Sequence, residues 1–112
     1  MKAGIEVEER EEALQTLERL GYLDDGRLAV ARAEALAGRG QGDQAIRYDL
    51  AGRGIDAETI EEALAGLEPE SERALQLVER LGATAKTAAQ LRRKGFSEDS
   101  VAGALRQVAS EL

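Results

Sequence analysis

The chain has 112 residues, 43% of them hydrophobic, and its 22 acidic and 15 basic side chains give a net charge of −7. It contains no Cys and no His, which excludes disulfide bonds, thiolate or imidazole metal sites, and Ser-His-Asp or Cys-His catalysis. The acidic balance argues against a protein whose main partner is nucleic acid, because such proteins usually present a basic surface.

Helical periodicity runs through the whole chain and is interrupted only by glycines and one proline. Apolar residues recur at every third or fourth position, the spacing of one helix face, and no segment alternates strongly enough to be a strand. The pattern predicts an all-α protein with about seven helices and no sheet. The predicted helices are about 5–20, 25–37, 43–52, 56–67, 69–81, 85–94 and from 97 onward.

Local signals mark several helix ends and one face of each helix. Asp56, Thr84 and Ser97 are predicted N-caps, and Pro69 is predicted at a first helical position. The apolar residues at helical spacing are predicted to face inward. They are Ala13, Leu14, Leu17, Leu20, Leu28, Ala31, Ala35, Leu36, Ile46, Leu50, Ile60, Ala63, Leu64, Leu67, Ala74, Leu75, Val78, Leu81, Val101, Ala104, Leu105 and Val108.

The chain contains an internal repeat. The segment "LAGRGIDAETIEEAL" (50–64) aligns with "LRRKGFSEDSVAGAL" (91–105). Each reads as a helix, a glycine stop at Gly54 or Gly95, an apolar residue, a cap and another helix. A third copy, "GIEVEEREEAL" (4–14), aligns with the later part of the first segment. Repetition at this scale indicates stacked helical units.

We predict an elongated, curved array of three-helix units. Two complete units are expected at 21–67 and 68–112. Residues 1–20 are expected to be the last helix of a first unit whose other helices are missing. Since repeat units bury their faces partly against neighbours, such a start implies either a naturally shortened protein or a truncated one.

The stretch "GYLDD" combines an aromatic side chain with two consecutive acids. Gly21 is predicted to end one helix, and Tyr22 with Leu23 to fill the junction between units. Asp24 or Asp25 is predicted to cap the next helix. The alternative is a metal or catalytic carboxylate pair, but no His, Cys or third acid lies nearby at ligand spacing.

The glycine-rich stretch "GRGQGD" (38–43) invites comparison with a phosphate-binding loop. No strand is predicted before it, and no Gly-Lys-Ser/Thr follows it. We therefore predict a turn between two helices.

Helix-turn-helix DNA binding is a rival interpretation of residues 44–64, which contain two helices joined by a short turn. The second helix would be the reading helix. The exposed side chains of that helix would be acidic, and their negative charges would be repelled by the DNA phosphates. These acids are Asp56, Glu58, Glu61 and Glu62.

Three segments carry a family resemblance: "LERLGYLDDGRLA" (17–29), "GRGQGDQAIRYDLAGRGIDAETIEEAL" (38–64) and "LRRKGFSEDSVAGAL" (91–105). In order and spacing they resemble the RecX family of bacterial RecA regulators, with most of the first three-helix repeat missing. The resemblance implies a non-enzymatic protein that binds RecA and lodges in the groove of the RecA filament on DNA. It also implies inhibition of ATP hydrolysis and strand exchange, and thereby modulation of recombination and the SOS response.

Basic residues flanking the second helices and their glycine turns are the candidates for partner contact. We hypothesise that they form one basic stripe directed at an acidic RecA surface, with filament DNA as a further contact. The alternative is a solvated face with i,i+4 ion pairs. The candidates are Arg39, Arg47, Arg53, Arg92, Arg93 and Lys94.

Two classes of function remain open, a RecA modulator and a helical-repeat adaptor for another protein. No convergent pair of carboxylates indicates an enzyme, so we expect no catalytic residues, no metal and no cofactor. The sequence shows no signal peptide and no run of apolar residues long enough for a membrane span. We expect a cytoplasmic monomer with no membrane partner.

Overall fold

The computed structural model describes residues 24–111, and every regular element in that part is an α-helix. The helices are α1 Asp25–Gly38, α2 Asp43–Gly52, α3 Ala57–Ala65, α4 Glu70–Leu81, α5 Ala85–Arg93 and α6 Glu98–Glu111. The predicted all-α class is confirmed, and these six correspond to the second to seventh predicted helices. The first predicted helix (5–20), Gly21, Tyr22 and Leu23 lie outside the described residues. Within 24–111, no helix has the length and apolar character needed to cross a lipid bilayer.

The helices form two three-helix units, each around its own core. The first unit is α1 to α3 and the second is α4 to α6. The first core contains Ala29, Ala33, Leu36, Ile46, Leu50, Ile55, Ile60, Ala63 and Leu64. The second contains Ala74, Val78, Ala88, Leu91, Phe96, Val101 and Ala104. Small and branched side chains dominate both cores, so the helices can approach one another closely.

The two segments that align in the sequence occupy equivalent places in the two units. Leu50 and Leu91 are 0% and 1% exposed and anchor the second helix of their units. Gly54 and Gly95 follow those helices with φ angles of 82° and 94°, a left-handed backbone that glycine adopts without steric cost. The internal repeat of the sequence is therefore a repeat of structure.

Polar side chains cap four of the described helices. The caps are Asp24, Asp56, Thr84 and Ser97, whose side-chain oxygens accept hydrogen bonds from amides two or three residues ahead. Of the two acids considered for α1, Asp24 is the cap and Asp25 is the first helical residue. Pro69 is the residue before α4, which begins at Glu70, and not the first helical residue as predicted.

The predicted inward face of α1 is confirmed at Leu36 and wrong at its other three residues. Leu28, Ala31 and Ala35 are exposed, Leu28 at 47%. The buried residues of this helix are Ala29, Ala33 and Leu36. Alanines occur on both sides of α1, so their spacing fits either face. Leu81, the last residue of α4, is also 44% exposed instead of buried.

Candidate protein-interaction site

The two units meet where the turn before α2 touches the turn after α5. The amide of Gly42 donates to the carbonyl of Lys94 at 2.8 Å, and the amide of Gln44 donates to the carbonyl of Gly95 at 3.1 Å. We call this backbone contact the joint. The chains pass so closely that a Cβ on Gly42 would lie 2.4 Å from the carbonyl carbon of Gly95. Only glycine therefore fits at this position.

Glu70, at the start of α4, accepts hydrogen bonds at the starts of two other helices, α2 and α6. One carboxylate oxygen accepts a hydrogen bond from the amide of Asp43 at 2.8 Å. The other accepts bonds of 3.2 and 2.7 Å from the amide and hydroxyl of Ser97, and one of 2.7 Å from the hydroxyl of Ser100. Gly42 has no side chain to cap α2, so Glu70 supplies the missing acceptor.

The pKa of Glu70 reflects this environment. Burial raises the pKa of its carboxyl group, but the hydrogen bonds from Ser100, Ser97 and the amide of Asp43 outweigh the effect of burial. The pKa in the folded protein therefore lies below the ordinary value for glutamate, and the charged form stabilises the joint.

We expect Glu70→Gln to lower the free energy of unfolding by about 1–3 kcal/mol at neutral pH, because the amide nitrogen of Gln would face donors. The folded-state pKa is depressed, so the stabilisation is complete above the ordinary glutamate pKa of about 4.3 and is lost as pH falls through the folded value. Denaturant titrations of both proteins at about pH 7 and about pH 3 test this. The difference should shrink at the lower pH, and an equal difference at both would contradict the assigned role.

Arg73 is nearly buried beside the joint, with 10% of its side chain exposed. Its Nε and Nη1 donate to the carbonyls of Glu68 and Gln41, both at 2.9 Å. Its Nη2 pairs with the carboxylate of Asp43. The guanidinium carbon also lies 6.0 Å from the centroid of the Phe96 ring, at the limit of a cation–π contact. One side chain thus ties α4 to the turn before α2.

Beside the joint lies an open groove of about 740 Å³, lined by Tyr48, Arg53 and Arg93 among other residues. We call it the Tyr48 groove. The Tyr48 side chain is 85% exposed. Arg93 forms no ion pair with any residue in the described part of the chain. Tyrosine and arginine are the residue types that most often dominate the binding energy of protein interfaces, so the groove has the composition of a docking surface.

Asp49 positions Arg53 at the edge of the Tyr48 groove. Its carboxylate accepts bonds of 3.0 and 3.2 Å from Arg32 and one of 3.1 Å from Arg53. The bond from Arg32 lowers the pKa of Asp49 most, burial opposes it, and the bond from Arg53 lowers it further. One ionised carboxylate is therefore shared by two guanidinium groups, and positive charge remains at the groove.

Arg47 and Arg92 are neutralised by acids from the following helices. The Nε atoms of Arg47 and Arg92 lie 2.7 and 2.6 Å from the carboxylates of Glu61 and Glu98. The hydrogen bond from each arginine lowers the pKa of the glutamate that it contacts. Both arginines line a second groove of about 460 Å³ at the joint. Their acidic partners lie 14 and 6 positions ahead, whereas Arg53 and Asp49 form an i,i+4 ion pair of the kind considered as the alternative.

Arg39 and Lys94 line a third groove, which also contains Arg80 and adjoins a further cavity lined by Arg39 and Arg80. We call the two cavities together the Arg80 groove. The Nζ of Lys94 donates to the carbonyl of Arg39 at 3.3 Å. The six predicted contact residues thus lie in pairs in three grooves. The structure brings Arg53 and Arg93 together in the Tyr48 groove, and the single basic stripe stays a prediction.

The amides that a phosphate loop would need are already bonded within the joint. Those of Gly42, Asp43 and Gln44 donate to Lys94, Glu70 and Gly95, respectively. This stretch is a turn between helices, as predicted. Within residues 24–111, no group of three or more acidic side chains is placed to hold a metal ion.

Sequence analysis did not single out Tyr48, Glu70 or Arg73. Tyr48 could have been found, because it is an aromatic residue off the apolar stripe of α2 that contains Ile46 and Leu50. Glu70 and Arg73 carry a weaker signal. Helix α2 follows a glycine that cannot cap it, so an acceptor had to come from elsewhere, but no local pattern shows from where.

Two three-helix units in tandem, linked through a polar joint, define a helical-repeat protein. Residues 24–64 match the family model described as RecX, second three-helix domain. This part of the chain is therefore similar to that domain of the RecX family. The match covers α1, α2 and nearly all of α3, and it includes Tyr48 and Arg53. A comparison with curated proteins found no match.

Proposed function

We propose that the chain is a cytoplasmic regulator that docks on the RecA filament through the Tyr48 groove and inhibits ATP hydrolysis and strand exchange. The observation that carries this proposal is the coincidence of two features. The RecX match spans 24–64, and two of the three residues that define the groove, Tyr48 and Arg53, lie within it.

The chemistry of the groove favours a protein surface as the main contact. Arg53 and Arg93 present planar guanidinium groups, which bind carboxylates through paired hydrogen bonds. Tyr48 offers a large contact area that loses little conformational entropy on binding. Phosphates would be repelled by a chain of net charge −7, so filament DNA is the minor contact.

We expect the double variant Arg53→Glu/Arg93→Glu to bind RecA filaments on single-stranded DNA about tenfold or more weakly than the unchanged protein, as measured by co-sedimentation. Charge reversal at two central interface positions removes attraction and adds repulsion. Tyr48→Ala should weaken binding in the same assay without any change of charge.

The matched control is Lys86→Glu/Arg106→Glu. Both residues are exposed, neither lines the Tyr48 groove, and the change in net charge is the same. Equal losses in the two double variants would show that net charge controls binding. Full binding by Arg53→Glu/Arg93→Glu, with an unchanged helical circular dichroism spectrum, would remove the Tyr48 groove from the proposal.

A further inference from the structure

Three cationic side chains converge where three helices end. Arg39 is the C-cap residue of α1, Arg80 lies in the last turn of α4, and Lys94 is the C-cap residue of α5. The Arg80 groove between them consists of two adjoining cavities of about 310 and 80 Å³. Arg39, Gly40, Leu77 and Arg80 line both cavities.

The positive charge of the Arg80 groove is not neutralised by the described part of the chain. No acidic residue lines either cavity, although the chain has 22 acids. Within residues 24–111, Arg39 and Arg80 form no ion pair, and Lys94 makes only its bond to a carbonyl. Other arginines do pair with acids: Arg32, Arg47, Arg53, Arg73 and Arg92.

Compensation of helix dipoles accounts for only part of this charge. Each helix C-terminus carries a partial negative charge of about 0.5, which nearby cations stabilise. Three such ends amount to about 1.5 negative charges, whereas the three side chains carry three positive ones. A positive potential therefore remains in the groove, and it suits an anionic ligand.

The apolar part of the lining indicates which kind of anion fits. Leu81 is 44% exposed at the edge of the groove, and Leu77 forms part of its wall. A nucleic acid strand would need exposed aromatic side chains for its bases, but Phe96, an aromatic residue that lines the groove, is only 5% exposed. Carboxylates alternating with an apolar side chain match this surface better.

We propose that the Arg80 groove binds an acidic segment of a partner protein, with an apolar residue of that segment seated against Leu77 and Leu81. Arg39 and Arg80 would receive its carboxylates in charge-assisted hydrogen bonds. This inference does not depend on RecA binding, since it concerns residues outside the Tyr48 groove.

The test uses a short fluorescein-labelled peptide of glutamates around one leucine, titrated with the full chain at low salt and followed by fluorescence anisotropy. The acidic peptide should bind, and its glutamine counterpart should not. Arg39→Gln/Arg80→Gln should weaken binding about tenfold or more, whereas Lys86→Gln/Arg106→Gln should leave it unchanged. Lys94 is kept in both variants because it bonds a backbone carbonyl.

The site of binding is located by nuclear magnetic resonance on the ¹⁵N-labelled protein. The amides of Gly40 and Gln90, which line the groove, should shift on peptide addition, and that of Tyr48 should not. Absence of binding, or equal binding by both variants, would overturn the proposal. Tighter binding of an oligothymidylate than of the peptide would show a nucleic acid site instead. The assay contains no RecA, so its failure and failure of the proposed function are separate results.

Discussion

Gly95→Ala should lower the free energy of unfolding by about 3 kcal/mol or more, through two separate costs. Gly95 has a φ of 94°, and a left-handed backbone costs a residue with a Cβ about 1–2 kcal/mol. The new Cβ would also lie 2.6 Å from the amide nitrogen of Ala45, and a backbone atom cannot move aside as a flexible side chain can. Denaturant titration measures the loss.

Gly54→Ala is the matched control for this effect. Gly54 is the equivalent of Gly95 in the first unit, with a φ of 82°, but nothing lies within 4 Å of a Cβ at this position. Gly54→Ala should therefore lower the free energy of unfolding only by the cost of the left-handed backbone, about 1–2 kcal/mol. The difference between the two variants isolates the contact at the joint. Equal losses would mean that the two turns separate without cost and that the joint does not hold the units together.

Arg73→Ala should lower the free energy of unfolding by about 3–5 kcal/mol, because it leaves the partners of a buried guanidinium without their donor. Those partners are the carbonyls of Gln41 and Glu68 and the carboxylate of Asp43. Arg73→Lys keeps the charge but cannot bond all three at once, so it should recover only part of the loss.

Arg106→Ala provides the comparison for Arg73, since Arg106 is exposed on α6 and its removal should change stability by less than about 0.5 kcal/mol. If Arg73→Ala does not fold, Arg73→Lys still permits the measurement. A loss from either Arg73 variant no greater than that from Arg106→Ala would contradict the role of Arg73 in the joint.

Much of the fold could be predicted because its signals are local. Asp56, Thr84 and Ser97 mark helix starts through bonds to amides three residues ahead, so a single sequence contains all the information needed. The face of α1 could not be predicted in the same way. Alanines such as Ala29 and Ala31 are identical in size, so their pattern does not determine which of them packs inward; the position of the other helices decides that.

The candidate site was only partly predictable, because its geometry depends on contacts distant in sequence. Glu70 bonds residues 27 and 30 positions away. Residue type alone pointed to the arginines as binding residues. It could not show that Arg47 and Arg92 are held by glutamates, whereas Arg93 lies beside an exposed Tyr48.

The most direct test of RecA regulation through the Tyr48 groove is RecA-catalysed ATP hydrolysis on single-stranded DNA, titrated with this protein. We predict that hydrolysis falls with the unchanged chain and with Lys86→Glu/Arg106→Glu, and falls much less with Arg53→Glu/Arg93→Glu. An unchanged rate at every concentration, together with no co-sedimentation with RecA filaments, would contradict the proposal and favour an adaptor for another protein partner.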